Sequence, residues 1–85
     1  MDTEVDILML MYPDPDVDDL PMLVNRVVGI ARKRYRRSAD VNIEAVRICQ
    51  ILLEDPFMMD DRWCVIQSLL SRELSRGARR WLPCM

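Results

Sequence analysis

The sequence predicts an all-α fold, a small bundle of three main helices at about residues 20–37, 41–54 and 61–76, with a short N-terminal helix as a further option. Apolar residues recur at helical spacing through these segments, and the alternation of a β-strand is absent from the sequence. The 85 residues, 51% hydrophobic and 31% charged, are typical of one small globular domain. Such a short chain buries only roughly 60–65% of its unfolded surface, so we expect it to dimerise.

Residues 1–19 are predicted to form an acidic, hydrophobic N-terminal segment, and residues 20–85 the helical domain. The segment holds seven acidic residues and no basic one. Its apolar residues at 4–11 favour a short helix or strand, which Pro13 and Pro15 would end. Three roles stay open: a peptide that folds into a partner's groove, an arm that folds back on the basic residues in place of phosphate, or a fourth helix on the core. The last is favoured, because so many apolar residues seldom stay exposed.

The helix at 20–37 begins where Asp18 or Asp19 can cap its first turn. Pro21 is tolerated in that turn, because its missing N–H would have no helical partner. One apolar stripe runs along the helix, and most basic residues lie off it, so we expect one buried and one basic face. The stripe consists of Leu20, Leu23, Val24, Val27, Val28, Ile30, Ala31 and Tyr35.

The helix at 41–54 is expected to follow a connection at residues 38–42, with Asp40 or Asn42 as its cap. Apolar side chains cover most of its circumference. Such a helix is central in a bundle and is covered by its neighbours or by a second copy. We therefore expect a homodimer or partner interface at this helix and at the apolar corner after it. The predicted interface residues are Ile48, Ile51, Leu52, Phe57, Met58 and Trp63.

The helix at 61–76 comes after a short turn that begins at Pro56. Asp60 or Asp61 can cap this helix, and Gly77 is the expected left-handed terminator. Its apolar stripe predicts that one face packs on the two preceding helices. The stripe consists of Trp63, Ile66, Leu70 and Leu74, flanked by Val65 and Leu69.

The residue types exclude most catalytic and metal chemistry. The sequence has no histidine, the commonest general base and metal ligand. Cys49, Cys64 and Cys84 lie 15 and 20 residues apart, without the spacing of a zinc site. We expect Cys49 and Cys64 to be small buried hydrophobic residues and Cys84 to be a thiol of the tail. Two glycines are too few for a phosphate-binding loop, and the later acidic residues suit helix caps. We expect no enzyme, no cofactor and no metal.

The sequence favours an intracellular location. No apolar run approaches the ~18 residues that cross a bilayer, and the run at 7–11 follows acidic residues, unlike a secretory signal. An odd number of cysteines suits a reducing compartment. We expect a cytoplasmic protein. Residues 33–36 also fit the short basic pattern of nuclear import signals, which leaves a nuclear location open.

The positive charge is concentrated in the helical domain. The net charge is −2, but residues 20–85 hold seven acidic and twelve basic residues, a balance of +5. Eleven of the basic residues are Arg, whose planar guanidinium binds phosphate bidentately. Gly29 lies among them and would let another backbone approach closely. The predicted nucleic-acid-binding residues are Arg26, Arg32, Lys33, Arg36, Arg37, Arg72, Arg76, Arg79 and Arg80.

These observations predict a small non-enzymatic regulatory protein that binds nucleic acid through an Arg-rich helical face. We expect it to follow the backbone of duplex RNA by shape and charge rather than to read a base sequence. A compact chain of this kind would suit a viral accessory protein. The alternative is a protein–protein interaction adaptor that uses the same helices to bind and modulate an acidic protein partner.

Overall fold

The structure, a computed structural model, describes the backbone of residues 2–79 and the side chains of residues 2–75. This part of the chain is helical and contains no strand, so the all-α prediction is confirmed. The four helices are α1 Thr3–Met11, α2 Leu20–Arg34, α3 Ser38–Leu53 and α4 Arg62–Arg79, with a 3-10 turn Val17–Asp19 before α2.

Successive helices run in opposite directions, as short connections in a bundle require. The Asp2 carboxylate, at the start of α1, pairs with Arg34 at the end of α2 over 2.6 Å. At the other end of the molecule, the Arg62 guanidinium donates to the Pro15 carbonyl over 2.7 Å. Consequently α2 and α4 begin at one end of the bundle and lie parallel, with α3 antiparallel to both.

The hydrophobic core lies between α2, α3 and α4, and α1 closes one side of it. The predicted stripe of α2 is buried from Leu20 to Ala31. Ile48 of α3 and Ile66 of α4 are completely buried. The α1 helix adds Val5 and Leu8 to the same core. The N-terminal segment therefore packs as a fourth helix, which was the favoured of its three roles.

The predicted boundary between α2 and α3 is wrong. The first of these helices ends at Arg34 because Tyr35 has extended backbone angles (φ −136°, ψ 149°). The second begins at Ser38, after an extended Arg37, and the Val41 N–H bonds to the Arg37 carbonyl over 2.9 Å. The residues expected to form the connection therefore form the first turn of α3. This turn places Val41 in the core, and its burial outweighs the capping preference of the later polar residues.

The start and the end of α4 differ in how well the sequence predicts them. The Asp60 carboxylate accepts a hydrogen bond from the Arg62 backbone N–H over 2.9 Å, as expected of a cap. The prediction that Gly77 ends the helix is wrong, because α4 continues to Arg79. Cys49 is buried as predicted, whereas Cys64 is exposed, since it points away from the stripe that Trp63 and Ile66 share. Cys84 lies outside the described residues.

Candidate nucleic-acid interface

The parallel arrangement of α2 and α4 brings two basic segments to one end of the molecule. The Arg32 guanidinium donates to the Glu73 backbone carbonyl over 2.8 Å and so ties the last turn of α2 to the second half of α4. We call this region the basic end. Its cations with described side chains are Arg32, Lys33, Arg34, Arg36, Arg37 and Arg72. Arg72, the described side chain of the second cluster, therefore lies at the same end of the molecule as the first cluster.

Arg34 of the basic end is occupied by the chain's own carboxylates. Its guanidinium lies 2.6 Å from Asp2 and 2.8 Å from Glu44. Hydrogen bonds first to Asp2 and then to Glu44 raise the pKa of Arg34 further above its usual value. This side chain holds α1, α2 and α3 together, so its role is structural.

Glu44 is the centre of this ion-pair cluster. Its side chain is only 8% exposed, and it accepts hydrogen bonds from Arg47 over 2.6 Å and 2.9 Å as well as from Arg34. The bonds from Arg47, and then the bond from Arg34, lower the pKa of Glu44 from 4.5 to about 2, although burial alone would raise it. This cluster was not among the features predicted from the sequence. The i,i+3 spacing of Glu44 and Arg47 was the one available signal.

Other cations of the predicted face keep their charge available. Lys33 is 75% exposed and pairs only loosely with Glu4, over 3.6 Å. Arg32 binds a neutral carbonyl, so no carboxylate neutralises it in that contact. A further set is exposed and has no ion pair with a described carboxylate; it consists of Arg26, Arg36, Arg37 and Arg72. Arg36 and Arg37 occupy the short linker between α2 and α3, so the prediction that they end the helix at 20–37 is wrong.

The remaining predicted cations come after Arg72 in the sequence. Arg76 and Arg79 belong to the last turns of α4, and the structure describes their backbone only. Arg80 lies outside the described residues. The backbone of α4 continues past Arg72 as far as Arg79.

The N-terminal segment also reaches the basic residues, as the second of its three possible roles requires. Asp2 lies 3.9 Å from Arg47 in addition to its contact with Arg34, and Glu4 lies 3.7 Å from Arg34. The Arg34 contact lowers the pKa of Asp2. The segment therefore combines core packing with partial neutralisation of the basic end.

The six predicted interface residues do not share one surface. Ile48, Leu52 and Trp63 belong to the core of the protomer, and Met58 is half-buried against that core. Ile51 and Phe57 are exposed. The sequence left open whether neighbouring helices or a second copy cover the apolar circumference of α3. Packing within one chain covers most of it. Exposed apolar residues outside the predicted set include Ile7, Leu10 and Met11 on α1, Ile43 on α3 and Met59 after Phe57.

Open grooves lie near the basic residues, and two of them bear on the predictions. One, of about 580 Å³, runs between α3 and α4 and has Ser38, Val46 and Leu74 among its lining residues. The other, of about 270 Å³, lies between α1 and α2 over Gly29. A Cβ atom at Gly29 would meet no atom within 4 Å, so this position does have the open space that close approach of another molecule requires.

Other reactive groups in the described part of the chain offer little chemistry. No group of three or more Cys, Asp or Glu side chains within it is placed to hold a metal ion. Burial raises the pKa of the Cys49 thiol to about 12, so this cysteine stays protonated and unreactive. None of the described helices combines the length and the hydrophobicity of a membrane-spanning segment.

The geometry therefore shows a helical bundle with a cluster of exposed guanidinium groups at one end. Comparisons of this chain with protein-family models, with curated proteins and with solved structures find no match.

Proposed function

We propose that this protein is a small non-enzymatic regulatory protein whose basic end binds the backbone of a nucleic acid, most favourably an RNA duplex. One observation carries the proposal: Arg36, Arg37 and Arg72 are exposed at a single end of the bundle and have no described carboxylate partner. Guanidinium groups in this state bind phosphate oxygens bidentately and release counterions from the nucleic acid.

Shape favours backbone contacts over base reading. The cations of the basic end come from a short linker, from the last turn of α2 and from the second half of α4, rather than from one side of a single helix that could lie in a groove. Such cations fit the phosphates that border the shallow minor groove of an A-form duplex. Arg32 and Lys33, which keep much of their charge exposed, would extend the contact along the last turn of α2.

The test is the salt dependence of binding to a short RNA duplex, with a DNA duplex of the same sequence alongside. Each phosphate that the protein neutralises on duplex DNA contributes about −0.9 to the slope of log affinity against log salt, and we expect a similar dependence for RNA. The double variant Arg36→Gln and Arg37→Gln should bind more weakly, and its slope should be shallower by about one for each lost contact.

A matched control separates local contacts from net charge. Val17→Glu and Cys64→Glu make the same change in net charge at exposed positions away from the basic end, and this control should keep the wild-type slope. If the two double variants behave alike, the assignment of the basic end is wrong. Equal affinity for the RNA and DNA duplexes would contradict the preference for RNA.

A second candidate function, a protein–protein adaptor, is favoured by the exposed apolar side chains. Phe57 and Met59 are each 82% exposed, an unusual display for large apolar residues. In this function the basic end would meet an acidic protein. Polyglutamate is the simplest probe: binding of polyglutamate but not of the RNA duplex, at one ionic strength, would favour the adaptor over the nucleic-acid function.

A further inference from the structure

The turn between α3 and α4 presents two apolar side chains to solvent on either side of a buried one. Phe57 and Met59 are 82% exposed, whereas Met58 packs against the core. Met58 has a positive φ of 56°, a conformation that costs energy for a residue with a long side chain. This strained conformation buries Met58 and leaves both of its neighbours pointing outward.

The turn is held in place by hydrogen bonds from both flanking helices. The Asp55 carboxylate accepts bonds from the Trp63 indole N–H and from the Asp60 backbone N–H, each over 2.7 Å. The Gln50 amide donates to the Pro56 carbonyl over 3.0 Å. A turn fixed in this way loses little freedom when it binds, so Phe57 and Met59 form a preorganised anchor.

The surroundings of the anchor are strongly acidic. The helix ends and the turns on this side of the molecule form an acidic end, whose carboxylates are Asp14, Asp16, Asp18, Asp19, Glu54, Asp55, Asp60 and Asp61. Arg62 lies among these carboxylates. Its guanidinium pairs with Asp60 over 2.7 Å and with Asp14 over 3.4 Å, so its charge is already matched. A fitting partner therefore offers an apolar pocket with cations at its edge.

The groove between α3 and α4 offers an apolar pocket in the same chain, and two cations adjoin its lining in the sequence. Val46, Leu70 and Leu74 supply apolar contact area, and serine and amide side chains supply hydrogen-bonding groups around it. Arg36 and Arg37 directly precede its residue Ser38. The volume of about 580 Å³ lies within the range of roughly 300–1,000 Å³ that is usual for binding clefts.

We propose that a second copy of this chain inserts Phe57 and Met59 into the α3–α4 groove, so that the acidic end of one copy meets the basic end of the next. Because the two contacting surfaces lie at opposite ends of the molecule, we expect the association to be head-to-tail and to continue into chains or closed rings rather than to stop at a symmetric dimer. The added burial compensates for the small core of an 85-residue chain. Because the acidic end of the next copy would meet Arg36 and Arg37, self-association would compete with nucleic acid for the basic end, and it is therefore tested without nucleic acid.

The decisive experiment mixes a variant with a defective anchor and a variant with a defective groove. Sedimentation velocity then measures the size of the assemblies that form. The anchor variant is Phe57→Ser with Met59→Ser, and the groove variant is Ser71→Tyr, which fills the groove from an exposed position of α4. Wild-type mass should rise steadily with concentration, and each variant alone should stay monomeric. An equimolar mixture should form a 1:1 complex, because each variant retains the surface that the other lacks.

A symmetric dimer, in which each copy's anchor fills the other copy's groove, would stop at two copies of the wild type at every concentration, and that result overturns the head-to-tail arrangement. A wild-type protein that stays monomeric at every concentration, or a mixture that forms no complex, overturns the proposal. If Ser71→Tyr assembles like the wild type while Arg36→Glu with Arg37→Glu does not, the groove is wrong as the acceptor. Circular dichroism of each variant verifies that its helices are intact.

Leu10→Ser is the matched control, because Leu10 is also 82% exposed but lies on α1. It should assemble like the wild type, and its loss of assembly would place the interface on α1 instead. Raising the ionic strength from about 0.1 M to about 1 M shortens the Debye length from about 10 Å to about 3 Å. Wild-type assembly should weaken over this range, and assembly that strengthens with salt would contradict the contact between acidic and basic ends.

Discussion

At the scale of single residues, Glu44 shows how the fold keeps a carboxylate in a nearly buried position. Arg34 belongs to α2, whereas Arg47 lies one turn after Glu44 on α3. Together the two guanidinium groups donate hydrogen bonds to both oxygens of the Glu44 carboxylate. An unpaired charge with so little exposure would be strongly destabilising, whereas a carboxylate with two guanidinium partners is tolerated. Arg34 and Arg47 are therefore withdrawn from the binding surface.

The low pKa of Glu44 predicts a specific dependence of stability on pH. Its pKa falls from 4.5 in the unfolded chain to about 2 in the folded protein. The stabilisation is therefore complete above about pH 4.5 and is lost as the pH falls toward 2. Glu44→Gln should lower the free energy of unfolding by about 2 kcal/mol near neutral pH, with the difference from wild type shrinking in acid.

Urea denaturation across this pH range measures the effect of the substitution at Glu44. The control is Asp61→Asn, which removes an exposed carboxylate that has no described ion pair. This control should follow the wild-type pH profile. A constant difference between Glu44→Gln and wild type at every pH would show that the ion pairs do not set the acid sensitivity.

At the scale of helices, α2 carries an unusual interior glycine. Gly29 lies in the middle of the helix with a negative φ, so its backbone needs no glycine, and an added Cβ would meet nothing within 4 Å. Glycine in a helix interior costs roughly 0.5–1 kcal/mol relative to alanine. Its presence here leaves open space in the groove beside Arg26 and Lys33.

Gly29→Ala should therefore raise the free energy of unfolding by about 0.5–1 kcal/mol, measured by urea denaturation. Ser68→Ala, an exposed position inside α4, provides a comparison in which only helix propensity changes. If Gly29→Ala is instead destabilising, the space above Gly29 is filled in solution. A loss of RNA affinity together with higher stability would show that the glycine serves close approach of the ligand.

The helix boundaries separate what pattern predicts from what packing decides. The long apolar stripes of α2, α3 and α4 were predictable because each follows the helical period over several turns. The ends of α2 and α3 were not, since polar residues such as Asp40 and Asn42 suit a cap and a first turn equally well. The burial of Val41 decides between these positions, because it requires the helix to start at Ser38.

At the scale of the whole molecule, charge is divided between two ends. The parallel course of α2 and α4 places their acidic beginnings together and their basic ends together. The net charge of −2 describes neither end. The contact of Glu4 with Lys33 and Arg34 makes α1 a partial neutraliser of the basic end.

Glu4→Gln should accordingly strengthen binding of the RNA duplex by about twofold, because an exposed ion pair of this kind is worth at most about 1 kcal/mol. Fluorescence anisotropy at low salt measures the change. Asp6→Asn removes the same charge from an exposed position of α1 that has no described ion pair, and it should have the smaller effect. Equal effects would show that net charge alone governs binding and that the contact of Glu4 has no part in it.

The sequence by itself determined the helical class, the buried stripes of α2 and α4 and the absence of histidine chemistry, because periodicity and residue type are local properties of the chain. Tertiary structure decided which guanidinium groups stay available. Arg34 and Arg37 are alike in sequence, but one meets Asp2 and Glu44 across three helices and the other lies exposed in a linker. It also decided that Ile48 faces the core while Phe57 faces solvent. Both outcomes depend on contacts between segments distant along the chain, which only the packed bundle brings together.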